Sequence, residues 1–210
     1  MTQTTTGGDQ PETMPAGQVA SDEDQYRSGA YAYLAALLRA EPDDALLEAV
    51  AGLGQDQPQG AGLEAAISLL GLAAKTCQGD SVREEYFNLF IGLGRGELVP
   101  FGSWYQTGFL MERPLGVLRD DLAMLGFERD PEVKEPEDHI GALFEVMAML
   151  INEATSLDQQ KVFFERHLSG WVTRFFGDLT NARAATFYQS VARFGTEFME
   201  FEKRYLGMPV

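Results

Sequence analysis

The chain has 210 residues, 45% of them hydrophobic, with 16 basic against 32 acidic side chains and a net charge of −16. That length and apolar content suffice for a buried core. The charge argues against nucleic acid, whose phosphates need clustered Lys and Arg, and against anionic membranes. The single cysteine, Cys77, excludes an intramolecular disulfide. With only two histidines, His139 and His167, almost no basis is left for a Cys/His zinc site.

Residues 1–24 contain no Lys or Arg and no apolar run. They read as a disordered tail rather than a signal or transit peptide. No run of eighteen apolar residues follows, so no membrane span is expected and the chain is expected in the cytoplasm.

From residue 25 onward the apolar spacing is helical nearly throughout. Tyr26, Ala30, Tyr33, Leu34, Leu37 and Leu38 form a first stripe, stopped near Pro42. Leu46, Leu47, Val50 and Leu53 form a short second one, ended by the loop 54–60. Leu63, Ile67, Leu70 and Ala74 form a third, with Cys77 on its apolar side as a buried thiol. Asp80 or Ser81 is placed to cap a fourth helix carrying Val82, Tyr86, Leu89, Phe90 and Leu93.

The sequence GLGRG (92–96) then opens a Gly- and aromatic-rich loop. Without a preceding strand or a following GK[ST] it is no nucleotide fingerprint, and it reads as a helix stop. Phe101, Tyr105 and Phe109 share a face if their segment is helical. Trp104 falls off that face, either as a recognition anchor or covered by another helix. Pro114 opens a helix bearing Leu115, Leu118, Leu122 and Leu125. Residues 127–138, charged and holding Pro131 and Pro136, are the candidate hinge between helical halves at 25–126 and 139–210.

Glu135-Pro136-Glu137-Asp138-His139 follows. Proline and carboxylates suit the first turn of a helix on structural grounds alone. His139 is not explained that way, because an imidazolium is disfavoured there. A neutral His139 can hydrogen-bond a partner or a neighbouring carboxylate. The last helix carries Phe187, Val191, Phe194, Phe198, Phe201 and Tyr205 on one stripe, simplest as core. The expected fold is therefore all-α, a bundle of about nine or ten helices in two halves.

Between residues 97 and 145 there are eleven acids and four bases, a net of −7. Such a run is usually a solvated face, but it also suits a basic ligand. No serine in a nucleophile elbow accompanies His139, so no catalytic set is evident. Three readings stand: a peptide-binding protein, an acid–base enzyme centred on His139, and a general protein-binding adaptor.

EYFNLFIG with its Gly-rich loop, SWYQTGFL, PLGVLRDDLAMLGF and EPEDHIGALFEVMAML together resemble the TorD/DmsD family, and the similarity spans roughly residues 26–205. The resemblance implies an all-helical cytoplasmic chaperone, without a cofactor of its own. Its partner would be a molybdoenzyme precursor, bound by its twin-arginine signal peptide and held until cofactor insertion. It also implies a monomer or a dimer swapped through 127–138. Carried over by motif, the peptide-binding residues would be Leu89 and Phe90, Trp104, and Pro136, Asp138 and His139. The client enzyme stays open.

Overall fold

The computed structural model describes residues 21–53 and 61–208. The expected tail therefore lies almost wholly outside the described residues, and so does the loop 54–60. The described residues form ten α-helices and one π-turn, and no strand occurs among them.

The first four helices are α1 (Asp22–Arg39), α2 (Asp44–Ala51), α3 (Leu63–Thr76) and α4 (Gly79–Tyr86). Their starts follow local chemistry. Ser21 caps α1 and Asp43 caps α2, each side chain accepting a backbone N–H of the first turn. Gln78, not Asp80 or Ser81, is the residue preceding α4. Asp80 instead pairs with Arg83 at 2.7 Å within the first turn. Cys77 is half-buried at the end of α3.

The π-turn (Phe87–Ile91) continues α4. A short α5 (Gly102–Thr107) and then α6 (Arg113–Met124) follow, with Pro114 in the first turn of α6 as its missing donor favours. The remaining helices are α7 (Ile140–Asn152), α8 (Leu157–His167), α9 (Val172–Asn181) and α10 (Phe187–Leu206).

One continuous apolar core contains residues from both sides of 127–138. In it α1 packs along α7, while α10 packs against α3 and α9. Tyr31 of α1 sits between Phe144 of α7 (ring centroids 5.6 Å apart) and Phe198 of α10 (4.7 Å). The Phe187–Phe198 part of the last stripe is buried as its spacing requires.

Three expected core positions fall outside; one is Leu93, which follows the end of the π-turn at Ile91 and is fully exposed. Tyr26 is 80% exposed, and its neighbour Arg27 takes the inward position. Phe109 is 68% exposed. Helix α5 ends at Thr107 and Gly108 turns left-handed (φ 82°), so Phe109 leaves the face that Tyr105 keeps.

The inward Arg27 is met in full. Its guanidinium donates to Glu202 (2.7 and 3.0 Å), Gln160 (2.9 Å) and Asp24 (3.0 Å), and lies over the Tyr205 ring. Tyr31 donates to the same Glu202 carboxylate at 3.0 Å. This cluster ties α1, α8 and α10 together with every charge paired.

Candidate functional site: an open groove at the end of the first helix

Two helix starts, and the turn between α9 and α10, depend on carboxylates supplied from far along the chain. Glu85 of α4 accepts the N–H groups of Thr186, Phe187 and Tyr188 at 2.7, 3.0 and 2.7 Å, where α10 lacks a cap of its own. Glu97 accepts from Arg183 and Ala184. Asp138 accepts the Ser103 N–H at 2.7 Å and so caps α5. A carboxylate against unpaired helical N–H groups is a strong, charge-assisted contact that also meets the helix dipole.

These caps shape the site. The π-turn places the Gly92 N–H on the Phe87 carbonyl (2.7 Å), and the following loop folds back, with Leu98 N–H donating to Leu89 O at 2.8 Å. Gly92 has φ 61°, and a Cβ on Gly96 would lie 2.4 Å from Phe90 C, so this fold-back needs glycine at both places. The loop then pairs with the turn before α7. Gly102 N–H donates to Asp138 O (2.8 Å) and Ile140 N–H to Pro100 O (2.9 Å), a single antiparallel bridge.

The cluster 135–139 is therefore not the first turn of a helix. His139 is the residue before α7, and its Nδ1 accepts the Gly141 N–H at 3.1 Å. Burial, helped by the nearby Arg39 charge, pushes its imidazole down to about 4. Neutral His139 thus behaves as an N-cap acceptor, which resolves why histidine is tolerated at this helix start. Its ring packs edge-on against Phe101 at 5.0 Å. The Asp138 carboxylate points to α5, so the two form no acid–base dyad.

Two open clefts meet here. One, of about 470 Å³, is lined by Tyr86, Phe90, Ile91, Pro100, Phe101 and His139, with Arg39, Glu41 and Glu135 at its side. The other, of about 500 Å³, lies between α6, α7 and residues 127–137. Leu122, Phe127, Val133, Val146 and Met149 form its apolar wall. Arg39, the last residue of α1, and Glu135 line both clefts.

The charges around the clefts are unevenly paired. Arg39 binds Glu145 at 2.6 Å, and Arg119 and Arg129 both bind Glu137 (2.9 and 3.5 Å). The Arg119 contact holds the Glu137 carboxyl below its ordinary range, against the opposing effect of burial. Burial raises both Glu135 and Glu145, and the two carboxylates repel. Among the described residues no ion pair is formed by Glu41, Glu128, Asp130 or Glu135.

Of the residues expected to bind peptide, the structure brings Phe90, Pro136 and His139 to the clefts. Leu89 is a correction: it is fully buried in the core, continuing the inward stripe of Val82 and Tyr86, while Phe90 lines the cleft. Asp138 is also buried, and holds the floor together by its bond to α5. Trp104 lines neither cleft; the Arg95 guanidinium covers its ring at 4.6 Å. Arg39, Glu135, Ile91 and Phe101 also line the clefts but were not among the expected peptide-binding residues, Phe101 being read only as part of an aromatic face. Glu135 stood within a quoted motif, whereas Arg39 reads simply as a basic residue suited to a helix C-terminus.

The described residues thus form an all-α bundle with a surface groove, in which His139 is locked as a helix cap. The sequence family described as nitrate reductase delta subunit matches residues 56–177, more than half of the chain. A TorD chaperone protein from Vibrio parahaemolyticus is 22% identical over 170 residues, 75% of this chain and 79% of the relative. A TorD chaperone protein from Vibrio cholerae is 26% identical over 133 residues, 58% of this chain and 60% of the relative. A probable Tat proofreading chaperone DmsD from Haemophilus influenzae is 30% identical over 114 residues, 53% of this chain and 55% of the relative. Against these last two, the match spans less than two thirds of the relative's length. A crystal structure from Archaeoglobus fulgidus, described as a candidate redox enzyme maturation protein, shares the fold. Its TM-score is 0.58 at 20% identity, and the match covers 83% of this chain and 93% of the other. The chain belongs to the TorD/DmsD family of molybdoenzyme-maturation chaperones.

Proposed function

We propose that this chaperone binds the twin-arginine signal peptide of a molybdoenzyme precursor in the paired clefts and holds the precursor in the cytoplasm until its cofactor is inserted. The observation that carries the reading is the junction of an apolar wall with unpaired carboxylates. Leu122, Phe127, Val146 and Met149 supply the first, and Glu41, Glu128, Asp130 and Glu135 the second. A leader with two guanidinium groups followed by an apolar stretch matches that sequence of surfaces. Charge-assisted hydrogen bonds of about 1.5–3 kcal/mol each, plus one or two apolar anchors, suit a client that must later be released. The relative described as a Tat proofreading chaperone supports the same reading.

The test is calorimetric titration with a synthetic leader peptide carrying Arg-Arg, and with its Lys-Lys counterpart. Binding of the first and markedly weaker binding of the second is expected, because a planar guanidinium pairs bidentately with carboxylate and an ammonium does not. Asp138→Ala should weaken the Arg-Arg peptide severalfold by loosening the loop at 98–103. Equal affinity for both peptides would instead describe an adaptor that reads net charge.

A further inference from the structure

We infer that Glu135 is the carboxylate that receives a leader guanidinium, and that the Arg39–Glu145 pair beside it sets the room for one such group. The inference rests on the leader-binding reading above. Among the described residues Glu135 is the only carboxylate lining both clefts, and it stands where the apolar wall ends and the aromatic cleft begins. The other half-buried acids of the groove are already engaged, Glu137 by two arginines and Glu145 by Arg39. Glu135 has no ion-pair partner among the described residues, and the single Arg39 charge stands between two repelling carboxylates.

A guest guanidinium at Glu135 would balance that charge. Arg39 is held in place from both sides. Its backbone abuts Gly141, where an added Cβ would lie 3.2 Å from Arg39 Cα, and its guanidinium is tied to Glu145. It therefore cannot swing across to serve Glu135 without abandoning Glu145. Glu41, Glu128 and Asp130 are exposed, so contacts with them are weakened by water.

The experiment compares wild type, Glu135→Gln and Glu128→Gln against the Arg-Arg and Lys-Lys peptides by calorimetry. Each variant is first checked for fold by circular dichroism. Glutamine keeps the shape of Glu135 and removes a charge that burial already disfavours, so the fold is expected to persist. Glu135→Asp, which keeps the charge but withdraws it by one methylene, is the second variant. Glu135→Gln is expected to lose about ten- to hundredfold in affinity for the Arg-Arg peptide, and most of the discrimination against Lys-Lys. Glu128→Gln is expected to lose about twofold or less, and Glu135→Asp to fall between. Equal losses in Glu135→Gln and Glu128→Gln, or no loss in Glu135→Gln while wild type binds, would overturn the assignment. Failure of wild type to bind the Arg-Arg peptide at all would overturn the leader-binding reading on which it stands.

Discussion

The molecule holds two clusters of arginine, glutamate and aromatic rings, and they are built to opposite ends. Around Arg27 and Glu202 each guanidinium nitrogen has an acceptor and both charged groups are sealed, at 1% and 0% exposure. Around Arg39, Glu135 and Glu145 the groups are half-exposed, the one arginine pairs with Glu145 and leaves Glu135 without an ion-pair partner among the described residues, and a cleft opens on either side. The first cluster is closed and has no vacancy for a ligand. The second leaves a carboxylate short of a partner beside apolar surface. Residue types alone do not separate the two; the completeness of pairing does.

The sharpest way to break this comparison is to remove one carboxylate from each cluster. Glu202→Ala strands the Arg27 guanidinium in the core and should cost about 3–5 kcal/mol, read from urea denaturation. Replacing both partners, as Arg27→Met with Glu202→Leu, should recover most of that loss, since a buried pair is weak evidence of net stability. Glu145→Ala should cost less than about 1 kcal/mol, because its pair with Arg39 is screened by water. Similar costs at both sites would mean that the groove charges are as structural as the sealed ones.

A second difference lies in pH. His139 in the groove floor is held near 4, below the ordinary imidazole value of about 6.5. Between those values the unfolded chain takes up a proton that the folded chain refuses. The contribution is therefore full above pH 6.5 and is lost as pH falls toward 4, about 3 kcal/mol in all. His139→Asn keeps a side-chain acceptor for the Gly141 N–H and removes the titration, so its stability should fall less steeply across that window. His167, lowered by burial and opposed by its bond to Asp121, adds the same sign of slope in both proteins. An unchanged slope in the variant would show that the imidazole is not sealed in the folded chain.

Much of the closed region's framework was legible in the sequence, and little of its chemistry. The stripe from Phe187 to Phe198 marks a buried helix face by period alone, and Pro114 marks a helix start, because both signals are local. Arg27 gives no such signal: it is inward because Glu202 waits 175 residues away. The groove shows the same divide. EPEDH was visible as an unusual cluster, and Phe90, Pro136 and His139 do reach the clefts. That Leu89 is core and not cleft follows the same local period, since Val82, Tyr86 and Leu89 lie at helical steps of four and three and are all buried. That Asp138 caps α5, not its own helix, depends on a bridge between distant loops.

The smallest expected effect concerns the edge of the open region. Arg95, from the loop that the π-turn folds back, lies over Trp104, while the chain's other tryptophan, Trp171, is sealed and donates to His167 O at 2.7 Å. Arg95→Ala should cost about 0.5–1 kcal/mol, the usual worth of an exposed cation–π contact. Uncovering one face of Trp104 should also move its emission to longer wavelength, with Trp171 as an unmoved internal reference. If the Arg-Arg peptide were added to this variant and shifted the Trp104 emission back, the peptide would reach the ring that Arg95 vacated. If the emission stayed red-shifted while the peptide bound, Trp104 would belong to the packing of the loop, and the groove would end at Phe90 and Phe101.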